Sequence, residues 1–189
     1  MSTSGEANPL ATEPAARMMT ISRVKNRTIA KLTTRFPYLA KRFTEAFSPL
    51  ETESVPWTPL GKPLADCRVA VVTTAGVHHR DQPPFDMGDP DGDPTFRIID
   101  VSLPLSDLMI THDYYDHTDA DRDVNIVFPI QRLWELESEG LIGEVVSTHY
   151  GFMGHIVGRH IHTLVTQTAP EVARRLKKDE VDVVLLTPG

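Results

Sequence analysis

The sequence predicts an α/β fold, a mainly parallel sheet with helices on both faces, and three observations carry that reading. Short apolar, β-branched runs recur at 68–72, 96–101, 105–110, 144–147 and 181–186. Helical periodicity fills the intervals around Leu133, Trp134 and Leu136, and again from about His155 to Lys178. Continuous apolar strands alternating with helices are the pattern of a sheet covered on both sides. With 189 residues, 40% of them hydrophobic and 24% charged, the chain can bury one sizeable core, which makes one domain the default.

Residues 1–17 are rich in small residues and proline and are expected to form a disordered tail. A helical amino-terminal segment is expected over 18–50. Within it Pro37 suits a first helical turn, and Phe36, Leu39, Ala40, Phe43 and Phe47 recur on one stripe opposite Lys41 and Arg42. Residues 51–63 hold Pro56, Pro59 and Pro63, which fix dihedrals and remove donors, so an extended linker is expected there.

The α/β domain, 64–189, opens with the strand 68–72, which Gly76 is expected to close. Two weaker strands follow at 96–101 and 105–110. Pro129 starts a helix that Gly140 stops, and 144–147 returns as a strand. A last helix runs from about His155 to Lys178 with a break at Pro170, before a buried strand at 181–186.

Nineteen Lys and Arg against 26 Asp and Glu give a net charge of −7, a field that disfavours nucleic acid and anionic membranes as partners. The charge is uneven: the first fifty residues carry +5 and the remainder −12. No apolar run approaches the roughly 18 to 20 residues of a spanning helix, and the first thirty residues lack the compact apolar segment of a secretion signal. Cys67 is the single cysteine, so an internal disulfide and a Cys-x-x-Cys motif are both absent, which suits the cytoplasm. It stands beside Arg68, although a small buried or edge residue is the common fate of a lone cysteine.

Histidines gather at predicted strand ends: His78 and His79 after the first, His112 and His117 with Asp113 and Asp116 in the next loop, and His149 and His155 around the fifth. Imidazoles and carboxylates converging on one sheet edge suit metal or proton-transfer chemistry, whereas single histidines also serve as hydrogen-bonded loop residues. Asp89, Asp91, Asp93 and Asp100 fit positions 1, 3, 5 and 12 of a calcium loop, but Pro94 occupies the position that needs glycine, so Asx-turns are the better reading. No phosphate-cradling Gly-rich loop and no Gly-x-Ser-x-Gly elbow is present.

Several strings go beyond composition: Val-Pro-Trp-Thr-Pro at 55–59, Val-Ala-Val-Val-Thr-Thr-Ala-Gly-Val-His at 69–78, Asn-Ile-Val-Phe-Pro-Ile-Gln-Arg-Leu at 125–133, His-Tyr-Gly-Phe-Met-Gly at 149–154, and Val-Asp-Val-Val-Leu-Leu-Thr-Pro at 181–188. Together they resemble the selenoprotein B family of the glycine, sarcosine, betaine and D-proline reductases, continuously from about 55 to 189. The resemblance implies a selenol or thiol that cleaves a carbon–nitrogen bond of a small amino-acid-type substrate reductively. It also implies other reductase subunits as partners, one of them carrying the carbonyl group that activates the substrate.

In that family the strand matching 181–187 runs into a selenocysteine or cysteine followed three residues later by a cysteine. Residues 1–189 stop short of that motif, so the expectation is a chain ended at a UGA codon, inactive alone, with selenocysteine just past Gly189. What remains here would be scaffold and substrate-side wall. His78, His112, Asp113, Tyr115, His149 and Tyr150 are the candidates for orienting or protonating substrate. Two other classes compete: a metal-dependent hydrolase or lyase built on the His/Asp loops, and a non-catalytic subunit docking a partner through its basic amino-terminal segment.

Overall fold

A computed structural model describes residues 13–36, 38 and 58–189. In chain order the elements are α1 (Glu13–Arg35), β1 (Arg68–Thr73), β2 (Val77–His79), β3 (Arg97–Asp100), β4 (Leu108–Ile110), α2 (Ile130–Ser138), β5 (Glu144–Val145), β6 (Thr148–Gly151), α3 (His160–Thr163), α4 (Ala169–Lys178) and β7 (Val183–Thr187). No helix among the described residues is long and apolar enough to cross a membrane.

β1 is the centre of the main sheet. Along one edge it pairs in parallel with β7 over Val69 to Thr73. Along the other it pairs in parallel with β5 at Arg68 and Val69, then with β6 at Val72 and Thr73. β3 runs antiparallel to β6, and β2 and β4 form a separate antiparallel pair. The sheet is therefore mixed rather than mainly parallel. The cause lies in the link from β1 to β3, which is β2 and a proline-rich loop. A parallel return needs a long crossover, usually a helix, and this link contains none.

The alternation of β1 distributes its side chains between two cores. Val69 and Val71 join Phe128, Ile130, Leu133 and Ile142, so α2 covers that face. Ala70 and Val72 join Tyr150, Phe152, Val172 and Leu176, so α4 covers the opposite one. Helices on both faces are thus present. Each fully buried aliphatic or aromatic side chain contributes about 1.5 to 3 kcal/mol relative to exposure.

Other expectations need correction. α1 begins at Glu13, inside the segment expected to be a tail, and runs as one helix to Arg35. The helix expected over 37–47 lies, but for Tyr38, outside the described residues, as does the linker before Thr58. Gly76 does not simply close a strand but turns the chain directly into β2, which the sequence reading missed. The segment 105–110 splits into a 3-10 turn over Leu105–Asp107 and the short β4.

The last helix starts at His160, not His155, and does not break at Pro170. A π turn at Leu164–Thr168 widens the helix just before that residue, absorbing a ring that has no N–H to give to Thr166. β7 is an edge strand rather than a buried one: Leu186 is 73% exposed.

Candidate functional site

Three loop segments meet beyond the carboxyl end of β1. The Gly76 N–H donates to Phe152 O at 2.8 Å, and the Thr111 N–H donates to Gly76 O at 2.9 Å. Gly76 has φ +75°, and a Cβ there would stand 2.4 Å from Thr111 O, so only glycine lets these loops close. Gly154, at φ +79°, is under the same constraint against Thr74 O. The segments 75–79, 111–117 and 151–154 thus come together through loops; the expected gathering of 149–154 with them at one edge of parallel strand ends does not extend to His149, which lies inside the sheet against Val71.

His112, Asp113 and Tyr115 form the centre of this junction, and all but Tyr115 are fully buried. The Tyr114 N–H donates to His112 Nδ1 at 3.0 Å, which places the imidazole proton on Nε2. Burial pulls the His112 pKa down to about 4, and the neighbouring His117 and His155 reinforce the shift. The imidazole is therefore neutral at pH 7. Its ring centroid lies 4.6 Å from that of Tyr115, edge to face.

The Tyr115 hydroxyl donates to Ala75 O at 3.1 Å, and burial raises its pKa above the ordinary phenol value. Asp113, 2% exposed, is held by α1: Arg23 Nε stands 2.6 Å from one carboxylate oxygen and Arg27 Nε 3.6 Å from the other. Its role here is to fasten α1 to the loop.

His78 is one step removed. Its Nε2 pairs with Thr111 Oγ1 at 2.8 Å and its Nδ1 donates to His79 O at 2.7 Å, so both nitrogens are engaged. Burial lowers its pKa. His149 and Tyr150 do not belong to the junction. The Val71 N–H donates to His149 Nδ1 at 2.9 Å inside the sheet, and Tyr150 packs edge to face on Phe96 under α4. Burial brings His149 to about pKa 4 and raises the Tyr150 phenol.

Two features were missed. His117 donates from Nδ1 to Asp121 Oδ2 at 2.8 Å, an orientation whose i,i+4 spacing was visible in the sequence. Beside it a cleft of about 350 Å³ opens between α1 and the loop 115–121, walled by Arg27, Lys31, Tyr115, Asp116, His117 and Asp121 among others. No periodicity links α1 to that loop, so the cleft was not legible.

Among the described residues no group of three or more His, Cys, Asp or Glu is arranged to hold a metal ion. The calcium-like aspartates are otherwise engaged. Asp89 and Asp91 pair with Arg159, Asp93 accepts from Thr95 N–H at 2.8 Å, and Asp100 accepts from Ser102 N–H at 2.9 Å. These include the Asx-turns the loop composition suggested. Cys67 is fully buried, its Sγ 3.3 Å from Pro63 O.

β7 delivers its end into the same junction. The Thr74 N–H donates to Thr187 O at 2.9 Å, and Thr187 Oγ1 donates to Val127 O at 2.7 Å. A Cβ on Gly189 would lie 2.6 Å from Ala75 Cα and 3.1 Å from Tyr115 Cε1. Residues 187–189 therefore point at Tyr115.

Comparison with known proteins gives a family match and several relatives. The family model for glycine/sarcosine/betaine reductase selenoprotein B matches residues 16–189. The D-proline reductase subunit gamma of Acetoanaerobium sticklandii is 39% identical over 146 residues, covering 77% of this chain and 58% of its own length. The glycine reductase complex component B subunit gamma of Symbiobacterium thermophilum is 31% identical over 137 residues, 71% of this chain and 31% of that protein. The sarcosine reductase complex component B subunit beta of Peptoclostridium acidaminophilum is 27% identical over 139 residues, again 71% and 31%. The matched stretch thus spans between 31% and 58% of the length of these relatives. No solved structure matches. The match over nearly the whole chain decides the matter: this protein belongs to the glycine/sarcosine/betaine reductase selenoprotein B family.

Proposed function

We propose that the chain is one part of a multi-subunit reductase that cleaves a carbon–nitrogen bond of a small amino-acid-type substrate. The observation that carries this is the family match over residues 16–189, joined by relatives named as subunits of D-proline, glycine and sarcosine reductases. D-proline is the preferred substrate in this reading, with glycine, sarcosine and betaine as its rivals, because the D-proline reductase subunit shares 39% identity. The protein works in the cytoplasm with other reductase subunits.

Cys67 cannot be the redox group, since it is buried against Pro63. The electrons come instead from a selenol or thiol outside these 189 residues, and a carbonyl group on a partner subunit activates the substrate. The residues at the junction fit such a group. Tyr115 and Ala75 close around Gly189, and the nearby imidazole of His112 is uncharged. Tyr115 holds its proton at the hydroxyl, His112 shapes the wall, and His78 and Asp113 brace it; His149 and Tyr150 keep the sheet in register.

Reconstitution tests this. The full-length product, co-expressed with its neighbouring reductase subunits and supplied with dithiothreitol, is expected to convert D-proline to 5-aminovalerate. Absence of turnover with D-proline, glycine, sarcosine and betaine alike would overturn the proposal.

A further inference from the structure

We infer that the outer face of α1 docks on the acidic, leucine-lined end of α2 in a second copy of this chain, the two copies set end for end about a two-fold axis. The inference does not depend on the reductase reading. A surface helix ordinarily turns its apolar stripe to the core. α1 does the opposite. The side that meets its own domain is Ala30, with Arg23 and Arg27 pinned to Asp113. Ile21, Lys25, Leu32, Arg35 and Phe36 recur at helical spacing on the other side, Ile21 standing about two and a half turns from Ala30. Helical bonding carries the stripe past Arg35, since the Phe36 N–H donates to Leu32 O at 2.9 Å. Its three apolar members are 46% to 62% exposed. Lys25 and Arg35 form no ion pair among the described residues.

The complementary surface lies at the far end of the same molecule. The chain turns back at the end of α2, where the Leu141 N–H donates to Leu136 O at 2.9 Å. Gly143 then packs so closely on Asp66 and Cys67 that a Cβ would stand 2.8 Å from their backbone, which sets the turn of Leu64 alongside. These three leucines are 36% to 54% exposed. Glu137 and Glu139 close the helix beside them, and neither forms an ion pair among the described residues. An apolar stripe edged by unpaired cations thus matches an apolar patch edged by unpaired carboxylates.

α1 cannot reach this patch within its own molecule. It is fastened at the carboxyl end of β1, whereas Glu144 pairs with Arg68 at the amino end, six strand residues or about 20 Å away. A second copy turned end for end brings each stripe onto the other's patch. One such contact falls short of the roughly 20 to 30 residues a side of a stable interface, and the two-fold axis makes it twice.

Sedimentation equilibrium of the 189-residue chain at low salt tests this, with urea midpoints as the control for folding. The wild type should reach twice its mass of 21.1 kDa. Lys25→Glu with Arg35→Glu should raise the dimer dissociation constant about tenfold or more, because like charges then face each other in both contacts. Glu137→Lys with Glu139→Lys should do the same, and a lysine suits the carboxyl end of a helix. All four substitutions in one chain restore opposite charges in the reverse sense, so the constant should return to within about threefold of wild type. Damage to the fold would not be repaired that way. A second reading mixes Lys25→Cys and Glu139→Cys chains, whose native Cys67 is buried. A short bismaleimide should join unlike chains and leave like chains unjoined. A dimer indifferent to both charge reversals, one that the four-substitution chain fails to restore, or the absence of cross-links between unlike chains overturns the inference. So does a wild type that stays monomeric, which would leave the stripe to residues 37–57 or to another reductase subunit.

Discussion

His149 takes the place of a missing backbone acceptor for Val71. β1 pairs with β5 at Val69 and with β6 at Val72, and between them the partner strand swings away around Val146 and Ser147. The Val71 N–H would be orphaned in the core, but the imidazole Nδ1 of His149 accepts it at 2.9 Å while the ring packs edge to face on Phe128.

Replacing that ring should cost stability in two ways. His149→Ala leaves a buried N–H unsatisfied and opens a cavity beside Phe128, together about 2 to 5 kcal/mol. His149→Gln keeps an acceptor and should recover part of the loss. Urea midpoints of the two variants decide it; equal midpoints would mean that the hydrogen bond to Val71 is energetically idle.

The same burial makes stability fall with acid. His112 and His149 titrate near pH 4 in the fold and near 6.5 when unfolded, so the unfolded chain binds more protons in between. Their contribution is complete above about pH 6.5 and is lost as pH falls through about 4, on the order of 3 kcal/mol for each. Unfolding free energy measured between pH 7.5 and 4.5 should drop accordingly. In His149→Gln the drop should shrink, because one of the two groups no longer titrates.

What is legible in the sequence follows from the range of each interaction. Strands 68–72, 96–101 and 144–147 and the helix after Pro129 are local patterns, and each appears within a few residues of its expected place. Sheet polarity is not local. It depends on whether the link between β1 and β3 crosses the sheet, which apolar runs do not encode. The histidines show the same limit. Their clustering in sequence suggested one shared edge, yet ring nitrogens of His79, His112 and His149 each accept a backbone N–H, from Asp100, Tyr114 and Val71 respectively. Those bonds are fixed by tertiary gaps that composition cannot reveal. The Arg23–Asp113 pair joins residues ninety apart and left no trace in any motif.

That pair predicts a conformational consequence. Asp113 is the described anchor for two arginines of α1, so Asp113→Asn should free the helix from the loop while leaving the sheet folded. Hydrogen exchange of amides in 21–35 should accelerate, and that of β1 should not. Unchanged protection of α1 would show that the contact around Ala30, 3% exposed, holds the helix without the ion pairs.

The remaining prediction separates chemistry from support at Tyr115. Its hydroxyl donates to Ala75 O beside the arriving end of β7, and burial keeps that proton on the phenol far above pH 7. If the residue delivers a proton during carbon–nitrogen cleavage, Tyr115→Phe in the reconstituted complex should lower kcat about 100-fold, near the lower end of what positioned acids contribute. The KM for D-proline should stay within about threefold, because the ring beside the end of β7 is retained. Loss of the hydroxyl's bond to Ala75 should lower stability by only about 1 kcal/mol, too little to unfold the chain and mimic the catalytic defect. A kcat within twofold of wild type, accompanied by that small stability loss, would assign Tyr115 to holding the Ala75 turn and move the proton source elsewhere, with His117 the next group to substitute.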